Sequence, residues 1–229
     1  MARPSLPERL LRQRAERAQR ATLRRLRTLT RAHDVHVVLD GRELLGFASN
    51  DYLGLAGHPA LRAALVRAAG EWGVGATAAH LLGGHREPHR QLAEKLCEWT
   101  QRPRVLLFSS GWMANLGVLA TLLDTGDLCV QDKLNHASLL DGAQLSGCTL
   151  RRYPHADVDA ARRQLEAAPQ VAAVLAADGV FSMDGSVAPL RALADLAREQ
   201  DALLLVDDAH GLGVLGSDGG GSVREAGLG

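Results

Sequence analysis

Short strand-like segments that alternate with helical segments constrain the fold of this chain most strongly. The run Ala202–Val206 is apolar at every position, which is typical of a strand covered on both faces. Five segments are strand candidates: Val105–Phe108, Leu128–Val130, Thr149–Arg152, Val171–Ala176 and Leu203–Val206. Six segments have helical periodicity: 58–70, 85–100, 111–123, 136–146, 157–167 and 188–200. Helices interleaved with buried strands predict an α/β fold, with a mainly parallel sheet and helices on both faces.

The first 45 residues differ from the rest in charge and in pattern. Residues 1–32 contain ten arginines against two glutamates, a net charge of +8 (10 − 2), whereas the whole chain is neutral. Apolar residues at steps of three and four predict a helix over 6–30. Asp40-Gly41 between two short apolar runs predicts a hairpin. We therefore divide the chain into an N-terminal arm of basic helix and hairpin, 1–45, and an α/β domain, 46–229.

The basic arm leaves two interpretations open. It either packs one stripe of side chains on the body or meets an anionic partner, so a non-catalytic binding module remains an alternative. An arginine face without interleaved aromatic residues is weak evidence for nucleic acid, and no nucleic-acid partner is predicted. No run of about 18 apolar residues occurs, so no membrane span is predicted. Three cysteines without paired spacing favour free thiols, and we expect a cytoplasmic protein.

Ligands in open α/β sheets lie beyond the carboxyl ends of the strands, so the polar residues there are candidate site residues. Gly111 and Trp112 follow the first strand candidate and open a helix. Backbone N–H groups at such a start, together with the helix dipole, favour an anion such as phosphate. Gly211–Gly216 matches G-x-G-x-x-G, but Gly216–Ser222 is predicted to be a loop, whereas a dinucleotide site needs a helix.

Four further polar residues follow the later strand candidates. His136 begins a helix, where it could cap the helix or act as a catalyst. Ser182 lies in a glycine-containing loop that could equally be an ordinary turn. Asp207 and His210 belong to an Asp-x-x-His segment, which could bind a metal or hold a protonated ring nitrogen. This segment is a poor metal signature alone, and no metal site is predicted.

The order of these motifs along the chain resembles a known family. Four segments carry the resemblance, which covers about residues 20–225: Ser49–Leu55 (SNDYLGL), Leu134–Ser138 (LNHAS), Gly179–Gly185 (GVFSMDG) and Val206–Gly211 (VDDAHG). Together they resemble the α-oxoamine synthases, which are pyridoxal 5′-phosphate (PLP) enzymes of fold type I. The resemblance implies PLP as the cofactor. It also implies that 46–229 is an incomplete PLP-binding large domain of the aminotransferase-like fold, truncated at its C-terminus.

The resemblance assigns cofactor-binding roles to residues at matching positions. Gly111 and Trp112 match the turn that contacts the cofactor phosphate, although the family more often has Phe than Trp at the second position. His136 matches the imidazole stacked on the pyridine ring. Asp207 matches the carboxylate paired with the pyridinium nitrogen. A buried carboxylate of this kind keeps a heteroaromatic nitrogen protonated.

Further roles concern the phenolic oxygen of the cofactor and the substrate. Ser182 and His210 match polar contacts around that oxygen. Arg24 aligns with a substrate-contacting arginine, and His136 is also expected to contact the substrate and to take part in catalysis.

The same resemblance implies an activity and its partners. The chain looks most like the branch that condenses L-alanine with a pimeloyl thioester, carried by coenzyme A or by acyl carrier protein, with loss of CO2. The branches that use glycine or serine remain alternatives, and a homodimer is expected for the full-length protein.

The number of lysines bears on whether this chain can be active. Lys95 and Lys133 are the two lysines of the chain, and neither matches the lysine that holds PLP in the family. The matching position would follow Gly229. We therefore expect the 229-residue chain to be inactive on its own.

Overall fold

A computed structural model describes residues 5–31 and 35–228. The parts of the predicted arm at 1–4 and 32–34, and the last residue, Gly229, lie outside this description. The chain separates into two compact units, Met1–Glu71 and Trp72–Gly229. This division follows the contacts that residues make in space. The predicted boundary at residue 45 follows instead a change in charge and hydrophobic pattern along the sequence, so it stays a prediction.

The first unit contains helices and a small antiparallel sheet. Its elements, in chain order, are α1 (Leu6–Gln19), β1 (Leu29–Arg31), β2 (His36–Leu39), β3 (Arg42–Leu45) and α2 (Pro59–Trp72), the last of which ends one residue beyond the unit. The sheet order is β1-β2-β3, and both pairings are antiparallel. The predicted hairpin is confirmed. Asp40 and Gly41, with φ of 51° and 75°, form the two-residue loop that matches the twist of paired strands.

The helix predicted over 6–30 was too long. It ends at Gln19, because Ala21 adopts φ 54° and the Thr22 N–H donates to the carbonyl of Arg17 at 2.9 Å, which turns the chain. No residue of α1 is buried, so no packed face extends the helix further. The residues after the turn pair instead as β1, because the neighbouring hairpin offers an edge.

The second unit is the predicted parallel sheet with its helices. The helices are α3 (Glu87–Thr100), α4 (Gly111–Leu122), α5 (Ala137–Ser146), α6 (Val158–Glu166), α7 (Leu190–Glu199) and α8 (Gly221–Glu225), with a short 3-10 turn at His80–Leu82. The strands are β4 (Leu128–Asp132), β5 (Thr149–Tyr153), β6 (Ala173–Asp178) and β7 (Leu203–Asp207). Their order is β5-β4-β6-β7, and every pairing is parallel.

Helices cover both faces of this sheet, as predicted. Successive residues of one strand point to opposite faces, so Leu175 and Ala177 join one hydrophobic cluster while Val174 and Ala176 join the other. The first cluster takes its helical residues from α6 and α7, and the second from α4 and α5. The fold prediction is therefore confirmed for this unit. None of the helices among residues 5–31 and 35–228 is long and apolar enough to cross a membrane.

Two local predictions were wrong. Val105–Phe108 is not a strand, because no strand within the described residues lies beside it to complete a hydrogen-bonded ladder, and Leu106 is 81% exposed. The predicted loop Gly216–Ser222 is partly helical, since α8 begins at Gly221. The Asp208 carboxylate accepts the Ser222 N–H at 2.9 Å, which satisfies one of the free N–H groups at the start of this short helix.

Candidate functional site

A cleft lies at the carboxyl ends of the parallel strands, where sequence reasoning places the ligand. Asp178 and Asp207 end neighbouring strands β6 and β7 and are paired in register. The cleft encloses about 120 Å³. Its lining residues are Gly111, Trp112, Asn115, His136, Ser138, Asp178, Asp207, Ala209 and His210. The structure thus brings together five of the predicted site residues from three separate segments of the chain.

The N-terminus of α4 forms one wall of the cleft. Ser110 caps the helix, and its Oγ accepts the N–H of Met113 at 3.2 Å. Within the described residues, no acceptor binds the N–H groups of Gly111 or Trp112. A Cβ built on Gly111 would meet no atom within 4 Å, so the space above this turn is open. Two free backbone donors, a helix dipole and open space fit a phosphate group.

Asn115 links the opposite walls of the cleft. Its Nδ2 donates to Asp207 Oδ2 at 2.7 Å and to Ser138 Oγ at 2.8 Å, which uses both amide hydrogens. The other oxygen of Asp207, Oδ1, accepts the N–H of Ala209 at 3.1 Å. Asp207 is therefore held in one orientation by two donors while remaining half-buried at the cleft. A fixed carboxylate at this place fits a protonated ring nitrogen.

His136 is the N-cap residue of α5, one residue before the first helical residue, Ala137. The sequence predicts a helix that begins at His136 itself. Its Nδ1 lies 2.7 Å from Ser138 Oγ, and its ring meets the Trp112 ring edge-on with centroids 5.9 Å apart. The side chain is exposed to the cleft rather than packed in the core. It therefore caps a helix and also faces the cleft, while its part in catalysis stays a prediction.

Asp178 is a site residue that sequence reasoning did not select. It is 3% exposed, and its two carboxylate oxygens lie 3.1 and 3.2 Å from the His136 N–H. Burial, reinforced by the nearby carboxylates of Asp207 and Asp132, raises the pKa of Asp178 to about 6. The signal for it was present, since Asp178 follows a buried strand in the same way as Asp207 does. Asn115 also escaped selection, although it lies one helical turn after Gly111.

The remaining predicted residues occupy different places. His210 lines the cleft and is half-buried. Ser182 lies in an exposed turn that follows β6, and it is not among the residues that line the cleft. Arg24 is an exposed residue of the first unit, between α1 and β1. The structure thus assembles the cofactor residues predicted on α4, α5 and β7, and it leaves the contacts of Ser182 and Arg24 as predictions.

Neither lysine lines the cleft. Lys133 is exposed just after β4, and Lys95 is an exposed residue of α3 whose Nζ contacts Glu98 Oε2 at 2.6 Å. In the part of the chain that the structure describes, no group of three or more His, Cys, Asp or Glu side chains could hold a metal ion.

Comparison with known proteins identifies a family model and relatives that match this chain. A model of the family "Aminotransferase class I and II" matches residues 42–225. The 8-amino-7-oxononanoate synthase of Xanthomonas campestris pv. campestris is 55% identical over 230 aligned residues, which cover all of this chain and 57% of that protein. The enzyme of the same name from Xylella fastidiosa is 53% identical, with the same shares covered. The chain therefore spans a little over half the length of these relatives.

Solved structures agree with the sequence relatives. Sphingomonas wittichii serine palmitoyltransferase aligns with a TM-score of 0.90 and 28% identity, over 98% of this chain and 58% of that chain. A variant of serine palmitoyltransferase from S. paucimobilis, with a bound PLP–myriocin aldimine, aligns with a TM-score of 0.88 and 26% identity, with the same shares covered. The 8-amino-7-oxononanoate synthase of Francisella tularensis aligns at 0.67 and 32%, over 80% of this chain and 50% of that chain.

These likenesses confirm the fold predicted from the motifs. Both the family model and the structural neighbours belong to PLP enzymes of fold type I, and PLP is the cofactor that fits the anion site of α4 and the oriented Asp207. Because the family model matches residues 42–225, well over half of the chain, the chain belongs to the aminotransferase class I and II family of PLP-dependent enzymes.

Proposed function

We propose that these residues are part of an enzyme of biotin biosynthesis. It would condense L-alanine with a pimeloyl thioester to give 8-amino-7-oxononanoate, CO2 and the free acyl carrier. The observation that supports this most is the 53–55% identity, along the whole chain, to proteins named 8-amino-7-oxononanoate synthase. Because the chain spans 57% of their length, the proposal concerns the complete protein.

The cleft residues have defined parts in this reaction. PLP, when bound, supplies an electron sink that stabilises negative charge on the α-carbon of an amino acid. The free N–H groups of Gly111 and Trp112 would bind its phosphate. Asp207, oriented by Asn115 and Ala209, would hold a proton on the ring nitrogen, so that negative charge reaching the ring is neutralised.

The other predicted residues would act around the ring and the substrate. His136 would stack on the ring and help to orient the bound amino acid, since its imidazole is fixed by Ser138 and by the Trp112 edge. Ser182 and His210 would contact the phenolic oxygen, and Arg24 would contact the acyl substrate. These assignments rest on matching positions, and His210 has the added support that it lines the cleft.

A lysine is needed to hold the cofactor and to move the proton of the amino acid. Lys95 and Lys133 lie away from the cleft lining. We therefore propose that this lysine lies outside the 229 residues and that a polypeptide limited to them has no synthase activity.

The complete form of the protein is proposed to be a homodimer. Exposed apolar side chains in the second unit, such as Val74 and Leu81, support an interface. Cys97, Cys129 and Cys148 are all free, which supports a reducing cytoplasm.

The test is turnover by the complete protein with PLP, L-alanine and a pimeloyl thioester. We expect stoichiometric release of CO2 and aminoketone, and pimeloyl-coenzyme A and pimeloyl-acyl carrier protein compared side by side would identify the carrier. The likeness to serine palmitoyltransferases favours one alternative, so serine and glycine should be assayed beside alanine. Turnover with serine and a long-chain acyl thioester, but none with L-alanine, would replace the proposed substrates while leaving the reaction class intact.

A further inference from the structure

Asp132, His155 and Ser186 form a hydrogen-bonded chain outside the cleft lining. Both carboxylate oxygens of Asp132 lie 3.2 Å from His155 Nδ1, and His155 Nε2 lies 2.9 Å from Ser186 Oγ. The three residues come from the end of β4, the connection between β5 and α6, and the loop after β6. The proposed reaction uses none of them.

Asp132 is the fixed end of this chain. It is 1% exposed, and it accepts the N–H of Leu134 on Oδ1 and the N–H of Ala156 on Oδ2, both at 2.8 Å. Ala156 has φ 58°, a left-handed conformation that costs free energy for a residue with a side chain. The carboxylate therefore holds a strained connection in place, and it orients His155 through the Nδ1 hydrogen.

Ser, His and Asp in this order resemble the nucleophilic triad of hydrolases, but a fourth residue changes the interpretation. Ser186 Oγ also lies 2.7 Å from Asp184 Oδ1. A hydroxyl has one hydrogen, and a carboxylate cannot donate. Both short contacts of Ser186 are satisfied together when His155 Nε2–H donates to Oγ and the hydroxyl donates to Asp184.

This arrangement has a hydrogen for each ring nitrogen of His155 to donate. When Nδ1–H donates to Asp132 and Nε2–H donates to Ser186, the ring is an imidazolium. Asp132 and Asp184 are the charged groups that face it, one directly and one through the serine. Two carboxylates stabilise the positive ring, and the Ser186 proton is committed to Asp184 rather than available for nucleophilic activation.

The hydrogen-bonded chain that starts at Asp132 ends on the turn Phe181–Ser186. In that turn the Phe181 N–H donates to the Ser186 carbonyl, and the Gly185 N–H donates to the Phe181 carbonyl, both at 2.9 Å. The His155 ring meets the buried Phe181 ring edge-on, with centroids 4.4 Å apart. His155 therefore contacts the turn at both of its ends, and Ser182 lies between them.

We propose that His155 is a positioning residue. Held as an imidazolium between Asp132 and the Ser186–Asp184 pair, it fixes the turn Phe181–Ser186 and thereby the place of Ser182 at the cofactor. The second part of this statement rests on the proposed function, in which Ser182 contacts PLP. The first part concerns the turn alone, and the two parts are tested by different measurements.

Amide hydrogen exchange in the complete, PLP-loaded protein tests whether the turn is fixed. His155→Gln and Ser186→Ala each break the chain, and exchange at the Phe181 and Gly185 amides should accelerate by about tenfold or more. His36→Gln, at an exposed histidine of β2, is the matched control and should leave both amides unchanged. Unchanged exchange in both chain variants would overturn the proposal. Ring ¹⁵N signals that show a neutral His155 would overturn it as well.

A double-mutant cycle on PLP affinity tests the link to the cofactor. His155→Gln should raise the PLP dissociation constant by about tenfold in the wild-type background and change it little in the Ser182→Ala background, because the effect passes through that serine. Equal effects in both backgrounds would refute the link to Ser182. Failure of turnover with L-alanine would leave both binding and exchange measurements unaffected, so it would count against the proposed function alone.

Discussion

At the scale of single residues, two carboxylates on neighbouring strands have opposite surroundings. Asp207 is half-buried and receives hydrogen bonds from Asn115 and Ala209, which hold its carboxylate in one orientation. Asp178 is nearly fully buried, and the backbone N–H of His136 is the donor that both its oxygens face. Burial of this second carboxyl raises the pKa of Asp178 to about 6.

The raised pKa of Asp178 predicts a pH-dependent stability. A carboxyl whose folded pKa lies above its unfolded value favours the folded state when protonated, and this contribution is lost as pH rises through about 6. Asp178→Asn keeps an oxygen for the His136 N–H and cannot ionise. We expect its unfolding free energy to fall less between pH 4 and 7 than that of wild type, by about 2–3 kcal/mol.

Denaturant titration of the complete protein at several pH values measures this difference. Asp195→Asn, at an exposed aspartate of α7, is the control and should follow the wild-type slope. Parallel slopes for wild type and Asp178→Asn would contradict a buried, titrating Asp178.

Sequence reasoning reached part of this residue-scale description. Gly111, Trp112, His136, Asp207 and His210 follow strand candidates, and all five line the cleft. Asn115 and Ser138 were not predicted, because their function depends on helix packing that brings two side chains to one carboxylate. Such convergence has no local sequence signal.

At the scale of secondary-structure elements, the close approach of α4 and α5 supports the cleft. A Cβ built on Gly142 of α5 would lie 3.0 Å from the Asn115 carbonyl oxygen and 3.0 Å from Leu119 Cδ1. Asn115 in turn holds Asp207 and Ser138. The spacing of the two helices therefore sets the orientation of the carboxylate in the cleft.

Gly142→Ala should separate α4 from α5 and lower the melting temperature of the complete protein. The cost should be about 1–3 kcal/mol, the range for overpacked cores. Gly70→Ala on α2 is the matched control, since its Cβ would meet nothing within 4 Å, and it should stabilise by about 0.5–1 kcal/mol. A stabilising effect at both positions would show that the contact between α4 and α5 is loose.

The N-terminus of α4 gives a charge test of the phosphate site. Gly111→Asp places a carboxylate in open space, so the melting temperature without cofactor should be unchanged or slightly higher, as acidic residues suit a first helical turn. PLP affinity should fall by about tenfold or more relative to Gly111→Asn, which has the same size and no charge. Equal affinity of the two variants, measured by absorbance titration, would place the phosphate elsewhere.

Elements also show where sequence patterns fail. The helix predicted over 6–30 was too long because helical spacing of apolar residues does not reveal whether a packed face exists, and α1 has none buried. Val105–Phe108 has the composition of a strand, but a strand also requires a partner with free N–H and C=O groups. The four strands of the parallel sheet, β4 to β7, were all predicted within a few residues.

At the scale of the whole molecule, the parallel sheet has two edges. β5 and β7 are its outer strands among the described residues, and Leu203 of β7 is 49% exposed. Leu106, in the unpaired segment before α4, is 81% exposed. Open edges with apolar side chains are templates for association with other chains.

A polypeptide limited to residues 1–229 should therefore self-associate. We expect light scattering to show species larger than a monomer at micromolar concentration, and Leu203→Lys should reduce them because a charge on an edge strand opposes pairing. Ala192→Lys, which adds the same single charge at an exposed position of α7 instead of on the edge strand, is the control for charge alone. A monomeric, cooperatively melting wild-type polypeptide would contradict this expectation.

The bond between Asn115 and Asp207 also has a consequence for the order of folding. It joins residues 92 positions apart, and Asp207 ends β7, an outer strand of the sheet among the described residues. Contacts of such sequence separation form late, because loop closure must precede them. During refolding, helix and sheet signals should therefore recover before the cleft does. Added PLP would then report the moment at which β7 docks.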